Sequence, residues 1–121
     1  MAIRTQPVLD RRRSLAGVPV RQKGVRILSE RPDGDGIVLL NRFERSRRWF
    51  SRFIPPVIER RFELDELGAF VFRLVDGNAD VAAIIEAFSR RYQVSRREAE
   101  ASTVAFLKML ARRNIVAVMI P

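Results

Sequence analysis

The residues best suited to acid–base chemistry are two acidic pairs, Asp65 with Glu66 and Glu98 with Glu100. Each pair stands where the pattern starts a helix. A carboxylate there accepts backbone N–H groups and complements the helix dipole, so capping accounts for both pairs without catalysis. The chain has no cysteine and no histidine. That removes thiol nucleophiles, disulfides, Ser-His triads, thiolate-held clusters and the usual zinc sites together. Asp33 and Asp35 sit in the Pro- and Gly-rich run 31–36. The further spaced oxygens and closing glutamate of a calcium loop are missing, so this run reads as a turn. The expectation is a protein that is not an enzyme and holds no metal or cofactor.

Charge points instead to a binding role. The formal net charge is +9, carried by 21 arginines and two lysines, Lys23 and Lys108. Arginine donates in pairs from a planar, weakly hydrated fork, which suits carboxylates, phosphates and aromatic faces. An acidic peptide, a nucleic acid or a lipid headgroup fits such a chain. The densest mixture is the segment 45–56, where Arg45, Arg47, Arg48 and Arg52 interleave with Trp49, Phe50, Phe53 and Ile54. Three readings stand for it. It is a connection whose rings fold back onto the core, a partner-docking surface built from Arg47, Arg48, Trp49, Phe50, Arg52 and Phe53, or a site that grips phosphate or lipid.

The elements that must position these side chains follow from spacing. At 121 residues the chain allows one domain with one core. Residues 1–24 read as a basic flexible arm with a single acid, Asp10. Residues 25–30 and 36–43 read as a hairpin across the 31–36 turn, and 57–64 as a third strand. On that strand Ile58, Phe62 and Leu64 face inward and Glu59, Arg61 and Glu63 outward, while Arg60 breaks the inward alternation. A first helix occupies 64–77, with Asp65 as cap, Leu67, Phe70, Val71 and Leu74 as its buried face and Gly77 as a left-handed stop. A second starts at Asp80 and buries Val81, Ile84, Ile85, Phe88 and Tyr92. Ser95 and Glu98 form the capping box of a third, which runs to about Asn114. Residues 115–120 are an apolar tail that adds a strand or covers the core. The architecture predicted is α+β, a small antiparallel sheet of about three strands packed on three helices.

Three parts of this pattern together resemble the PqqD family. They are Leu-Asp-Glu-x-Gly-Ala-x-x-aromatic-x-Leu-x-Asp-Gly from Leu64 to Gly77, an Ile84-Ile85 helix ending near Tyr92, and Phe106, Leu107 and Leu110 before a short apolar strand. The resemblance covers roughly residues 25–120, leaving 45–56 as a basic-aromatic insertion. It implies a winged-helix-like precursor-peptide recognition domain over 25–121. Such a domain binds the leader of a ribosomally made peptide and presents it to a modifying enzyme, a radical enzyme in the family's founding pathway to pyrroloquinoline quinone. The resemblance also implies that the leader lies between the third strand and the third helix and extends the sheet. On this chain those walls are Val57, Ile58, Glu59, Arg60, Arg61 and Phe62, facing Arg97, Ala101, Ala105, Lys108 and Arg112. The helical residues are picked from the wheel as the face opposite Ala99, Thr103, Phe106, Leu107 and Leu110.

The expected function is therefore a non-catalytic peptide chaperone whose partners are a precursor leader and a maturation enzyme. The alternative is a winged-helix nucleic-acid binder, favoured by charge and opposed by Glu98 and Glu100 at the start of the third helix. No apolar run approaches the roughly 20 residues of a membrane span, and no secretory signal is evident, so a cytoplasmic setting is expected. A homodimer, formed by strand exchange or by the apolar tail, stays open.

Overall fold

The computed structural model describes residues 11–31, 36–44 and 57–121. Within them the chain forms α1 (Arg11–Leu15), β1 (Val18–Arg21), β2 (Val25–Glu30), β3 (Ile37–Glu44), β4 (Val57–Leu64), α2 (Glu66–Arg73), α3 (Val81–Tyr92), α4 (Arg96–Arg112) and β5 (Val116–Met119). Residues 32–35, with Asp33 and Asp35, and the insertion 45–56 lie outside the described residues, so the readings made for them are neither supported nor opposed.

The expected three-stranded antiparallel sheet forms in the order β2-β3-β4. β3 supplies Ile37 and Leu39 to the core by alternation. A register shift between Ile27 and Ser29 interrupts the β2 pairing, and Leu28 there is exposed. The hairpin begins with a close approach at Gly24, whose carbonyl accepts the Arg42 N–H at 3.0 Å. A Cβ at Gly24 would collide with the Arg42 carbonyl oxygen, a backbone atom that cannot rotate away. Gly24→Ala is expected to cost about 2–3 kcal/mol, as overpacking does. Urea unfolding checks this, and an unchanged midpoint would contradict it.

The arm expected over 1–24 needs correction. Of its residues, 18–21 form β1, which pairs antiparallel with β5 from Val18 opposite Met119 to Arg21 opposite Val116. The apolar tail thus does add a strand, and its partner is the segment read as an arm. Pro19 is buried, and the Gly17 carbonyl accepts the N–H of Val81 at the start of α3. Arg21 donates to the Phe72 carbonyl at 3.1 Å and lies 4.1 Å over the Phe72 ring. Partial burial holds its pKa below the ordinary arginine value, against the pull of Asp76 and Glu30. With α1, the described helices number four rather than three.

The caps follow the sequence. Asp65 accepts the Gly68 N–H, Asp80 that of Ala83 and Ser95 that of Glu98, each satisfying an orphan donor of a first turn. α3 buries Val81, Ile84, Ile85 and Phe88, and Tyr92 closes a ring cluster in which Phe70 meets Phe88 and Tyr92 edge-on while Phe88 and Tyr92 are tilted to each other. Two details of α2 differ from expectation. Its most buried positions are Ala69, Val71 and Phe72, with Val75 just beyond, whereas Leu67 is 37% exposed. The helix also stops at Arg73, before Gly77. The carboxylate of Asp76 accepts the Asn78 and Ala79 N–H groups, and Gly77 takes φ 83° within that turn.

Candidate functional site

β4 is an eight-residue edge strand. It pairs with β3 from Ile37 opposite Leu64 to Glu44 opposite Val57 without a register shift, and no described strand lies on its other side. An edge of that length presents alternate N–H and C=O groups free to pair with a further strand. The predicted site residues Val57, Ile58, Glu59, Arg60, Arg61 and Phe62 all take their places along it. Glu59, Arg60 and Arg61 are exposed and Phe62 is half-buried. The break in alternation at Arg60 is resolved by exposure: its side chain reaches water from the edge strand.

The contact of the α4 end with β4 is made away from the face picked on the wheel. Arg97, Ala101, Ala105, Lys108 and Arg112 are all exposed, on the far side from buried Ala99, Thr103, Leu107 and Leu110. One contact reaches β4 and a second reaches α2. The Arg113 guanidinium lies 5.0 Å from the centre of the Phe62 ring. Gly68, just past the β4–α2 junction, sits so near Phe106 that an added Cβ would be 3.4 Å from its ring. At 100° per residue Phe106, Met109 and Arg113 fall within about 60° of one another. The structure thus sets Arg113 over Phe62 of β4 and Phe106 against Gly68 of α2, and turns the five-residue outer face of α4 to solvent.

One buried polar residue sets this geometry. Asn41, 1% exposed, occupies an inward position on β3 in line with Ile37 and Leu39. Its side-chain amide donates to the carbonyls of Arg113 and Asn114 at 2.9 and 3.0 Å, which ties the open end of α4 to the middle of the sheet. An asparagine inside an apolar alternation was the available sequence signal for it. Phe106 and Met109 gave none, because apolar residues at helical spacing read as core.

The remaining predicted residues divide simply. Arg47, Arg48, Trp49, Phe50, Arg52 and Phe53 lie outside the described residues. Asp65 serves as a cap, and Glu66 meets the Tyr92 hydroxyl, whose pKa is raised by burial first and by Glu66 next. Among the described residues no cluster of three or more His, Cys, Asp or Glu is placed to hold a metal. No described helix is long and apolar enough to cross a membrane.

Comparison with known proteins gives the family and the fold. The family model for coenzyme PQQ synthesis protein D (PqqD) matches residues 55–116, from just before β4 to the first residue of β5. Among curated proteins, a "PqqA binding protein" of Rhodopseudomonas palustris strain TIE-1 is 35% identical over 75 residues, 62% of this chain and 71% of the relative. Its counterpart in strain CGA009 is 33% identical over 66 residues, 54% of this chain and 65% of the relative. Among solved structures, "TbiB1 in Complex with the TbiA(beta) Leader Peptide" superposes with a TM-score of 0.59 at 21% identity, covering 80% of this chain and 93% of that one. That last likeness is one of fold. With half of its length matched by the family model and a relative above 30% identity, this chain belongs to the PqqD family.

Proposed function

We propose that the protein captures the leader of a ribosomally made precursor peptide as an added strand on β4 and presents the peptide to a maturation enzyme, without doing chemistry itself. The observation that carries this is the free eight-residue edge of β4 beside the Phe106–Arg113 flank of α4. Backbone pairing along such an edge supplies affinity, and the side chains on either face choose the sequence. Two relatives named for binding PqqA, and a structural neighbour solved with a leader peptide, support the same reading. The contribution to maturation is effective concentration: once the leader is held, delivery of the core peptide becomes nearly intramolecular. Its setting is the cytoplasm, where precursor peptides are made, and the exposed cations of α4 are left free to steer encounters.

The nucleic-acid reading is weaker on this structure. Glu98 is exposed in the first turn of α4, so phosphate would meet an acid at the helix end that normally reads bases.

Hydrogen exchange with and without a synthetic PqqA peptide tests the proposal. Every second amide of β4 is expected to slow by about tenfold or more on binding, as free edge groups become paired, with little change on the outer face of α4. Protection confined to α4, or absent from β4, would reject strand addition.

A further inference from the structure

Glu59, Arg61 and Glu63 stand two residues apart on β4, and all three are exposed. Because β3 and β4 pair without a bulge, these side chains share one face of the sheet, the one turned to solvent. Across β3 they stand opposite Arg42, Leu40 and Val38. Among the described residues none of the three takes part in an ion pair. Arg42 on β3 is an opposite charge across from Glu59, whereas Arg61 and Glu63 stand opposite apolar Leu40 and Val38, so the minus-plus-minus row borders the open edge with only its Glu59 end countered across β3.

We infer that the strand accepted at this edge carries a cation, an anion and a cation at alternate, solvent-facing positions, with an apolar residue opposite Phe62. The inference rests on the strand-addition reading and gives it a sequence preference. Residues directly opposite on paired strands have Cβ atoms about 4.5–5.5 Å apart, near enough for opposite charges to attract and like charges to repel. The minus-plus-minus order reads the same from either end, so its complement is the same whether the peptide runs parallel or antiparallel to β4. The intervening side chains of the added strand point the other way, onto the face that carries exposed Arg60 and half-buried Phe62, and the one opposite Phe62, beside Arg113, is apolar for that reason.

The same row works against self-association. Two copies paired antiparallel and centred on Arg61 would set Arg61 against Arg61 and Glu59 against Glu63, like charge on like at every outward position. An edge that repels its own copy in register yet invites a complementary strand is selective by charge order rather than by charge amount.

Three labelled synthetic nonapeptides with identical apolar positions separate these effects: Lys-Glu-Lys, Glu-Lys-Glu and Ser-Ser-Ser at the outward positions. They are titrated into the full chain at low salt by fluorescence anisotropy, with hydrogen exchange of β4 in parallel. The Lys-Glu-Lys peptide is expected to bind about tenfold or more tightly than Glu-Lys-Glu, the sum of three small pair terms. That preference runs against the overall field, because a chain of net charge +9 attracts the more acidic peptide. In the triple variant Glu59→Lys, Arg61→Glu, Glu63→Lys, which changes exposed positions and stays positive, the order of affinities is expected to invert. Equal binding of all three peptides with β4 protected would overturn the charge order and leave strand addition standing. Peptides that bind without protecting β4, or do not bind, would overturn strand addition and this inference with it.

Discussion

Deletion of residues 1–21 is expected to destabilise the domain by about 3–5 kcal/mol, a large share of the 5–15 kcal/mol by which a domain of this size is stable. The cause is loss of a layer of the fold. β1 pairs with β5, whose first residue Val116 is 2% exposed and is preceded by Ile115 at 0%. Pro19 is itself buried, and half-buried Leu15 packs against the core. Each apolar side chain returned to water forfeits up to about 1.5–3 kcal/mol, offset in part by the chain entropy no longer lost on ordering the segment. Polar partners go as well: the Val81 N–H loses the Gly17 carbonyl, and the Phe72 carbonyl loses Arg21. Urea unfolding of residues 22–121 against the full chain reads the result. At a slope of roughly 1–3 kcal/mol per molar, the midpoint falls by more than about 1 M. Coincident midpoints would restore the reading of this segment as an arm.

Why β1 escaped sequence reasoning is physical. Its ladder partner Val116–Met119 lies at the other end of the chain, and Val-Pro-Val-Arg after three arginines has neither the length nor the alternation of a strand. Local signals, by contrast, were legible. Asp65, Asp80 and Ser95 bond N–H groups three residues on, so their caps are written within four residues of sequence. The bounds of β2, β3 and β4 followed from turn residues and apolar runs. α2 shows where periodicity misleads. The helix packs against β4, α3 and α4, so its apolar residues are spread around the wheel, and the stripe that included Leu67 passed over Phe72 and Val75. The site divides along the same line. That 57–64 is a strand is local information, and the strand was legible. Which flank of α4 lies beside it depends on how the helix is tied to the sheet. A wheel separates core from solvent, and Arg97, Ala101, Ala105, Lys108 and Arg112 are solvent-facing as it places them, but it does not show which residue of α4 meets the sheet, so Arg113 over Phe62 was not legible.

The tie itself supplies the other large effect. Asn41→Asp is expected to cost about 3–5 kcal/mol at neutral pH, the usual penalty for a buried charge without a partner. The substitution replaces a donor aimed at the carbonyls of Arg113 and Asn114 with an acceptor, at the negative end of the α4 dipole. Its ionised form is disfavoured there by burial and by both carbonyls, so the folded-state pKa rises above the unfolded value of about 3.9. The folded state then binds its proton more tightly than the unfolded state. Stability of the variant is fullest below pH 4, where the protonated acid can donate one of the two lost bonds, and is lost as pH rises through the raised pKa. Asn41→Leu removes both donors without a titratable group, so it is expected to be destabilised by a similar amount at every pH. Urea midpoints of the two variants and the parent at pH 4 and pH 7.5 separate these outcomes, and an Asn41→Asp midpoint that follows the parent at both would refute the tie. Peptide binding carries the same signature. Freed from Asn41, the end of α4 no longer holds Arg113 over Phe62, so β4 keeps its edge but loses the wall beside it. Where Asn41→Asp remains folded, leader affinity is expected to fall by about tenfold or more, the cost of a groove that must be ordered on binding rather than offered ready-made.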